Sequence, residues 1–166
     1  MEKEPDEIVR EQEKSKDGLS YLTFDLGEDR YAVPVSQVEV VLEMGTITRV
    51  PKSPPSLRGV INHRGSVVPV VDLRTLLQLP PLGQDFVPAI VVTQIPYEDE
   101  TISMGFLADR VHEVVELERA SIEATPNYGK TSDLSCVAGI GKRDGTFIIL
   151  LNLERSLSIA TAPGDS

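Results

Sequence analysis

The residues best suited to chemistry are His63, His112, Cys136 and the arginines and glycines of "RGVINHRGSVVPVVDLR", Arg58 to Arg74. Catalysis needs a nucleophile, base or metal held in a cleft. The two histidines are far apart in sequence, and their nearest acids form no metal-ligand spacing. There is no G-x-S-x-G, no H-E-x-x-H and no Walker glycine–lysine pattern. His63, between Asn62 and Arg64, has no neighbouring nucleophile to activate. Cys136 lies in an apolar stretch and reads as a buried, inert thiol. The acids of "DLGED" read as a solvated hairpin tip, and "GKRDG" (Gly141 to Gly145) as a glycine-flanked turn rather than an anion site. The pattern predicts a binding module with no catalytic residues, no metal and no cofactor.

That leaves Arg64. Before Gly65, at the tip of a hairpin, it stands outward with a planar fork of donors suited to carboxylates or carbonyls on a partner. The other reading is an ion pair with an acid of its own barrel. Spacing does not separate the two.

The elements that position these residues are short strands. "LSYLTFDLGEDRYAVPV" (Leu19 to Val35) alternates apolar and polar residues around Gly27-Glu28-Asp29, a hairpin signal. Ser36 to Val41 reads as a helical turn or as a bend into another strand. "VVPVVDL", "VPAIVVTQI", "ISMGFLADRVHEVVEL" and "TFIILLNL" supply more strand-like runs, and "LPPLGQD" (Leu79 to Asp85) is the clearest linker. Many short strands with proline and glycine turns, and no long amphipathic helix, predict an all-β chain of barrels.

An internal repeat sharpens this. Sliding the chain by 80 positions places Gly59 on Gly139, Gly65 on Gly145 and Leu73 on Leu153 (139 − 59 = 80), and "GVINHRGSVVPVVDL" then reads against "GIGKRDGTFIILLNL" without a gap. Upstream, "YAVPVSQVEVV" matches "MGFLADRVHEVV", with Val38 on Val111. Each half, about seventy residues, suits a small five-stranded barrel. The expected organisation is a polar tail over 1–18, a first barrel over roughly 19–82, a second over roughly 86–158 and a loose tail over 159–166, with terminal strands able to cross over. The first tail is expected to be dispensable for binding.

Composition excludes other classes. A net charge of −10 argues against general affinity for nucleic acid or anionic membrane. One cysteine forms no internal disulfide and fits a reducing cytoplasm. No run reaches the ~18 apolar residues of a spanning helix, and "MEKEPDEIVREQEKSKDG" is no secretory signal.

"LTFDLGEDRYAVPVSQVEVVL", "ITRVPKSPPSLRGVINHRGSVVPVVDLR", "MGFLADRVHEVVEL" and "GIGKRDGTFIILLNLERSL" together resemble the CheW family of bacterial chemotaxis coupling proteins, over about Leu19 to Leu157. The resemblance implies two tandem five-stranded SH3-like β-barrels packed side by side. It implies a scaffold without catalytic activity that links the histidine kinase CheA, through its regulatory domain, to the cytoplasmic tips of transmembrane chemoreceptors in signalling arrays. The length leaves no room beside the matched region for a phosphoacceptor bundle, an ATP-binding domain or a receiver. Val38, Gly59 and Arg64 fall where the family places receptor-coupling residues, and Asn62 and Gly65 complete that hairpin. Where the family often carries an acid two residues after the valine, this chain has Val40, with Glu39 one residue earlier. Either the contact differs or the register does. A small barrel binding an unrelated peptide or ligand is the alternative; an enzyme using His63 is a third reading.

Overall fold

The computed structural model describes residues 19–80, 87–123 and 136–156. Ten strands follow one another: β1 (Leu19–Leu26), β2 (Asp29–Pro34), β3 (Val38–Glu43), β4 (Leu57–His63), β5 (Ser66–Val71), β6 (Ala89–Tyr97), β7 (Glu100–Ala108), β8 (Arg110–Leu117), β9 (Val137–Arg143) and β10 (Thr146–Leu151). A one-turn helix, α1 (Leu73–Leu76), follows β5. Both readings of Ser36 to Val41 are realised in succession, as a 3-10 turn over Val35–Gln37 and then β3. The expected tails and most of the expected linker lie outside the described residues.

Four tight hairpins set the register. In each, two residues separate the paired strands: Gly27-Glu28, Arg64-Gly65, Glu98-Asp99 and Asp144-Gly145. The second and fourth turns are equivalent in the repeat, and both of their residues have positive φ: Arg64 53° with Gly65 83°, Asp144 51° with Gly145 79°. Such turns match the right-handed twist of the flanking strands, and glycine takes the second position without steric cost.

The strands form two five-stranded sheets, ordered β8-β1-β2-β10-β9 and β3-β6-β7-β5-β4. Under the repeat β1 to β5 correspond to β6 to β10, and the two orders are then the same order. Neither sheet comes from one half, however. The first takes β1 and β2 from the first half and β8 to β10 from the second; the other sheet is the reciprocal. Parallel pairs, β2 with β10 and β7 with β5, join the exchanged hairpins to their hosts. The expected division near residues 82–86 therefore does not separate the two units: the initial hairpins cross over in both directions.

Alternation along the strands builds three apolar cores. Tyr21, Ala32, Val115, Leu117, Ile148 and Leu150 fill the inside of the first sheet. Ile61, Val68, Val70, Ile90, Val92 and Leu107 fill the inside of the second. The alternate residues, including Phe24, Tyr31, Val33, Val71, Val91, Phe106 and Leu151, meet in a larger core that the sheets share. Phe24 and Phe106, both fully buried, touch across it with ring centroids 5.1 Å apart. Strands buried on both faces must be apolar at successive positions, which is why the buried Ile90-Val91-Val92 of β6 does not alternate. Each sheet curls around its own core. In the first, Arg143 of β9 donates through Nη1 to the Glu116 carbonyl of β8, the opposite edge strand, at 3.1 Å.

The repeat survives in backbone bonds outside the ladders. Thr48 pairs with Val60 as Glu123 pairs with Ile140. The Asp72 N–H donates to the Ser56 carbonyl at 2.7 Å, and the Asn152 N–H to that of Cys136 at 2.8 Å. These bonds explain the glycine pair. A Cβ on Gly59 would lie 2.3 Å from the Thr48 carbonyl oxygen, and one on Gly139 2.9 Å from that of Glu123. Only glycine lets the neighbouring segment approach so closely.

Candidate functional site

The β4–β5 hairpin carries four of the six expected site residues. Gly59 is buried beneath Thr48, so its lack of a side chain is a requirement of the fold before it is anything else. Asn62 is exposed and accepts the Gly65 N–H through Oδ1 at 3.0 Å, fastening the turn. Arg64 is exposed and makes no hydrogen bond or ion pair with the described residues. The reading in which it pairs within its own barrel is not realised there. Its left-handed backbone is costly for arginine, which lacks the short polar side chain that eases this region for asparagine and aspartate.

Val38 and Glu39 sit elsewhere, on β3, at the edge of the same sheet opposite β4. Val38 is only 7% exposed and belongs to the shared core, so its side chain offers little surface for contact. Its pairing with Thr93 is followed directly by that of Val40 with Val92, which leaves Glu39 as the extra residue of a β-bulge. The bulge reverses the alternation: Val38 packs into the shared core while Val40 packs against the inside of its own sheet. An acid at Val40 would face apolar side chains. Glu39 is thus the residue that the irregularity leaves outside the β3–β6 pairing.

Sequence reasoning missed two ionic clusters. The first joins the sheets. Arg74, on α1, donates from Nε to Asp109 Oδ1 at 3.0 Å and pairs through Nη2 with Oδ2; Nη1 reaches the Pro80 carbonyl. Asp109 Oδ2 also accepts the N–H of Gly27, in the β1–β2 turn of the other sheet, at 2.7 Å. The Arg74 and Asp109 side chains are 10% and 9% exposed. The Asp72 carboxylate accepts the Arg74 N–H at 2.9 Å and starts the helical turn. No local signal marks this set, because Asp109 lies 35 residues from Arg74 and 82 from Gly27.

The second cluster lies across β1, β2 and β8. The Asp25 carboxylate meets His112 Nε2 at 2.7 Å and Arg30 Nε at 3.2 Å. Burial raises the Asp25 pKa; the hydrogen bonds with His112 and Arg30, and the charge beside them, lower it by more, so the net shift is downward. His112 is thus engaged with a carboxylate, and His63 has no partner among the described residues. Cys136 is buried, at 2% exposed, and free. Among the described residues no group of three histidine, cysteine or acidic side chains could hold a metal, and no helix is long and apolar enough to cross a membrane.

The arrangement is a pair of five-stranded sheets with an exposed arginine on a tight turn, unpartnered among the described residues. The model of the CheW-like domain matches residues 20–160. Chemotaxis protein CheW of Bacillus subtilis is 35% identical over 143 residues, 86% of this chain and 88% of its own length. That of Thermotoga maritima is 32% identical, over 84% of this chain and 88% of its own length. The crystal structure of the scaffolding protein TtCheW from Thermoanaerobacter tengcongensis superposes with a TM-score of 0.75 at 28% identity, covering 90% of this chain and 97% of that one. The repeat and the reciprocal sheets accord with these matches, and the chain belongs to the CheW-like domain family of chemotaxis coupling scaffolds.

Proposed function

We propose that the chain works without catalysis, holding the regulatory domain of the histidine kinase CheA beside the cytoplasmic tip of a chemoreceptor, and that it is recruited in this way from the cytoplasm to membrane-associated arrays. The observation that carries the reading is Arg64. It is exposed, unpaired among the described residues, and held in a backbone conformation unfavourable to its type. Strain of this kind at an exposed position points towards function. Asn62 and Gly65 hold the turn, Gly59 lets the neighbouring segment close over β4, and Val38 and Glu39 shape the edge strand of the same sheet. In this reading Arg64 receives acceptors from the receptor tip, and apolar surface beside it covers one face of the tip helix.

The test is co-precipitation with a CheA regulatory domain and a receptor cytoplasmic fragment, singly and together. Capture of both at once supports the reading. Capture of neither favours a barrel that binds some other peptide or ligand. Saturable turnover of a nucleotide that His63→Ala abolishes would overturn the non-enzymatic role.

A further inference from the structure

The chain has ten more acids than bases, yet from Met44 to Val71 it carries Arg49, Lys52, Arg58 and Arg64 and not one acid. Three of these cations gather away from the hairpin tip. Arg49 and Arg58 line a groove of about 510 Å³ whose apolar wall is Met44, Ile47 and Leu57. A shallower hollow of about 310 Å³ adjoins it, lined by Arg49, Lys52, Arg58 and the prolines between them. Arg49 and Lys52 are exposed and have no ion pair among the described residues. Arg58 has one distant acid, with Nη1 3.7 Å from Asp72 Oδ2, and its side chain is 53% exposed. Asp72 is the groove's carboxylate, and its other oxygen already accepts the Arg74 N–H.

From this juxtaposition we propose that the groove between Arg49, Lys52 and Arg58 is a second docking site, apart from the Arg64 turn, for an acidic amphipathic segment of a protein partner. The physical case is local. At physiological salt charges interact over roughly 8 Å, so a segment bound in the groove feels three cations against the one lining carboxylate, Asp72, rather than the net charge of the whole chain. A short helix with carboxylates beside an apolar stripe meets both the cationic rim and the apolar wall. A nucleic acid does not fit this charge pattern. Its phosphates continue past the groove onto the surface of a chain whose net charge is −10. The proposal does not rest on the Arg64 reading.

The experiment is a titration of the whole chain, followed by amide chemical shifts. The probe is a helical peptide with leucines on one face and glutamates flanking them. The same peptide with lysine for each glutamate, and a short DNA duplex, are the comparisons. The glutamate peptide is expected to shift amides between residues 47 and 58. R49E/K52E should raise its Kd at least tenfold, R49Q/K52Q should raise it less, and Arg64→Ala should change it under twofold. Both charge variants alter side chains without ion pairs among the described residues, and unchanged melting confirms that they fold. Shifts confined to the Arg64 turn, equal binding of the lysine peptide, tighter binding of the duplex, or a Kd indifferent to R49E/K52E would each overturn the proposal.

Discussion

Removing the Asp109 carboxylate should be among the most damaging single changes to the fold. Its Oδ1 and Oδ2 hold Arg74 of α1, and Oδ2 also holds the Gly27 N–H of the other sheet. In Asp109→Ala the Arg74 guanidinium, only 10% exposed, keeps the Pro80 carbonyl as its acceptor and loses its counter-charge. Breaking a buried pair from one side costs about 3–5 kcal/mol, because a charge is left behind without compensation. For a chain of 166 residues each kcal/mol moves Tm by roughly 2–4 °C, so the expected fall is roughly 10 °C. Asp109→Asn keeps acceptor and shape but not charge, and should fall between wild type and Asp109→Ala. Arg74→Met/Asp109→Leu removes both charges and fills the space, and should recover much of the loss; the pair holds orientation more than it adds net stability. Urea unfolding of wild type, Arg74→Met, Asp109→Leu and the double variant, which form a double-mutant cycle, gives the coupling. A loss under 1 kcal/mol in Asp109→Ala, or a double variant that loses the full sum of the singles, would refute a buried, interdependent pair.

Three further outcomes follow from the same geometry. Gly59→Ala should cost about 1–3 kcal/mol in thermal or urea unfolding, since its Cβ would meet the Thr48 oxygen at 2.3 Å; any loss of binding would then track the fold, and unchanged stability would contradict the close approach. Arg64→Ala should leave stability within about 0.5 kcal/mol, yet weaken ternary-complex assembly by ~2–5 kcal/mol if its contact is desolvated; Arg64→Lys should restore only part, lacking the bidentate fork, and a destabilised variant that binds normally would end the coupling role. Asp25 has a folded pKa below its unfolded value, so its contribution is present above about pH 4 and fades as pH falls through the folded pKa. The stability gap between wild type and Asp25→Asn should therefore narrow in melts below about pH 4, and a gap unchanged from pH 7 to pH 3 would show that the carboxylate is not held by His112 and Arg30.

Local features of the fold were legible in the chain. Gly27, Gly65 and Gly145 mark turns because left-handed backbone suits glycine, and three of the four hairpins follow from them; the fourth, at Glu98-Asp99, has no glycine to announce it. Apolar runs gave strands, and the paired glycines Gly59 and Gly139 gave the repeat. The exposure of Arg64 also followed from its place in a turn. Which hairpin joins which sheet depends on long-range packing. A strand apolar on both faces, such as "AIVV", does not say which core each face meets, and a duplicated chain offers its hairpins two equivalent hosts. Packing of the shared core around Phe24 and Phe106 accompanies the reciprocal exchange, which no period in the sequence encodes. The burial of Val38, the bulge at Glu39 and the closure of Arg74 on Asp109 were hidden for the same reason. Each depends on a partner distant in the chain, and local preference carries no information about long-range pairing.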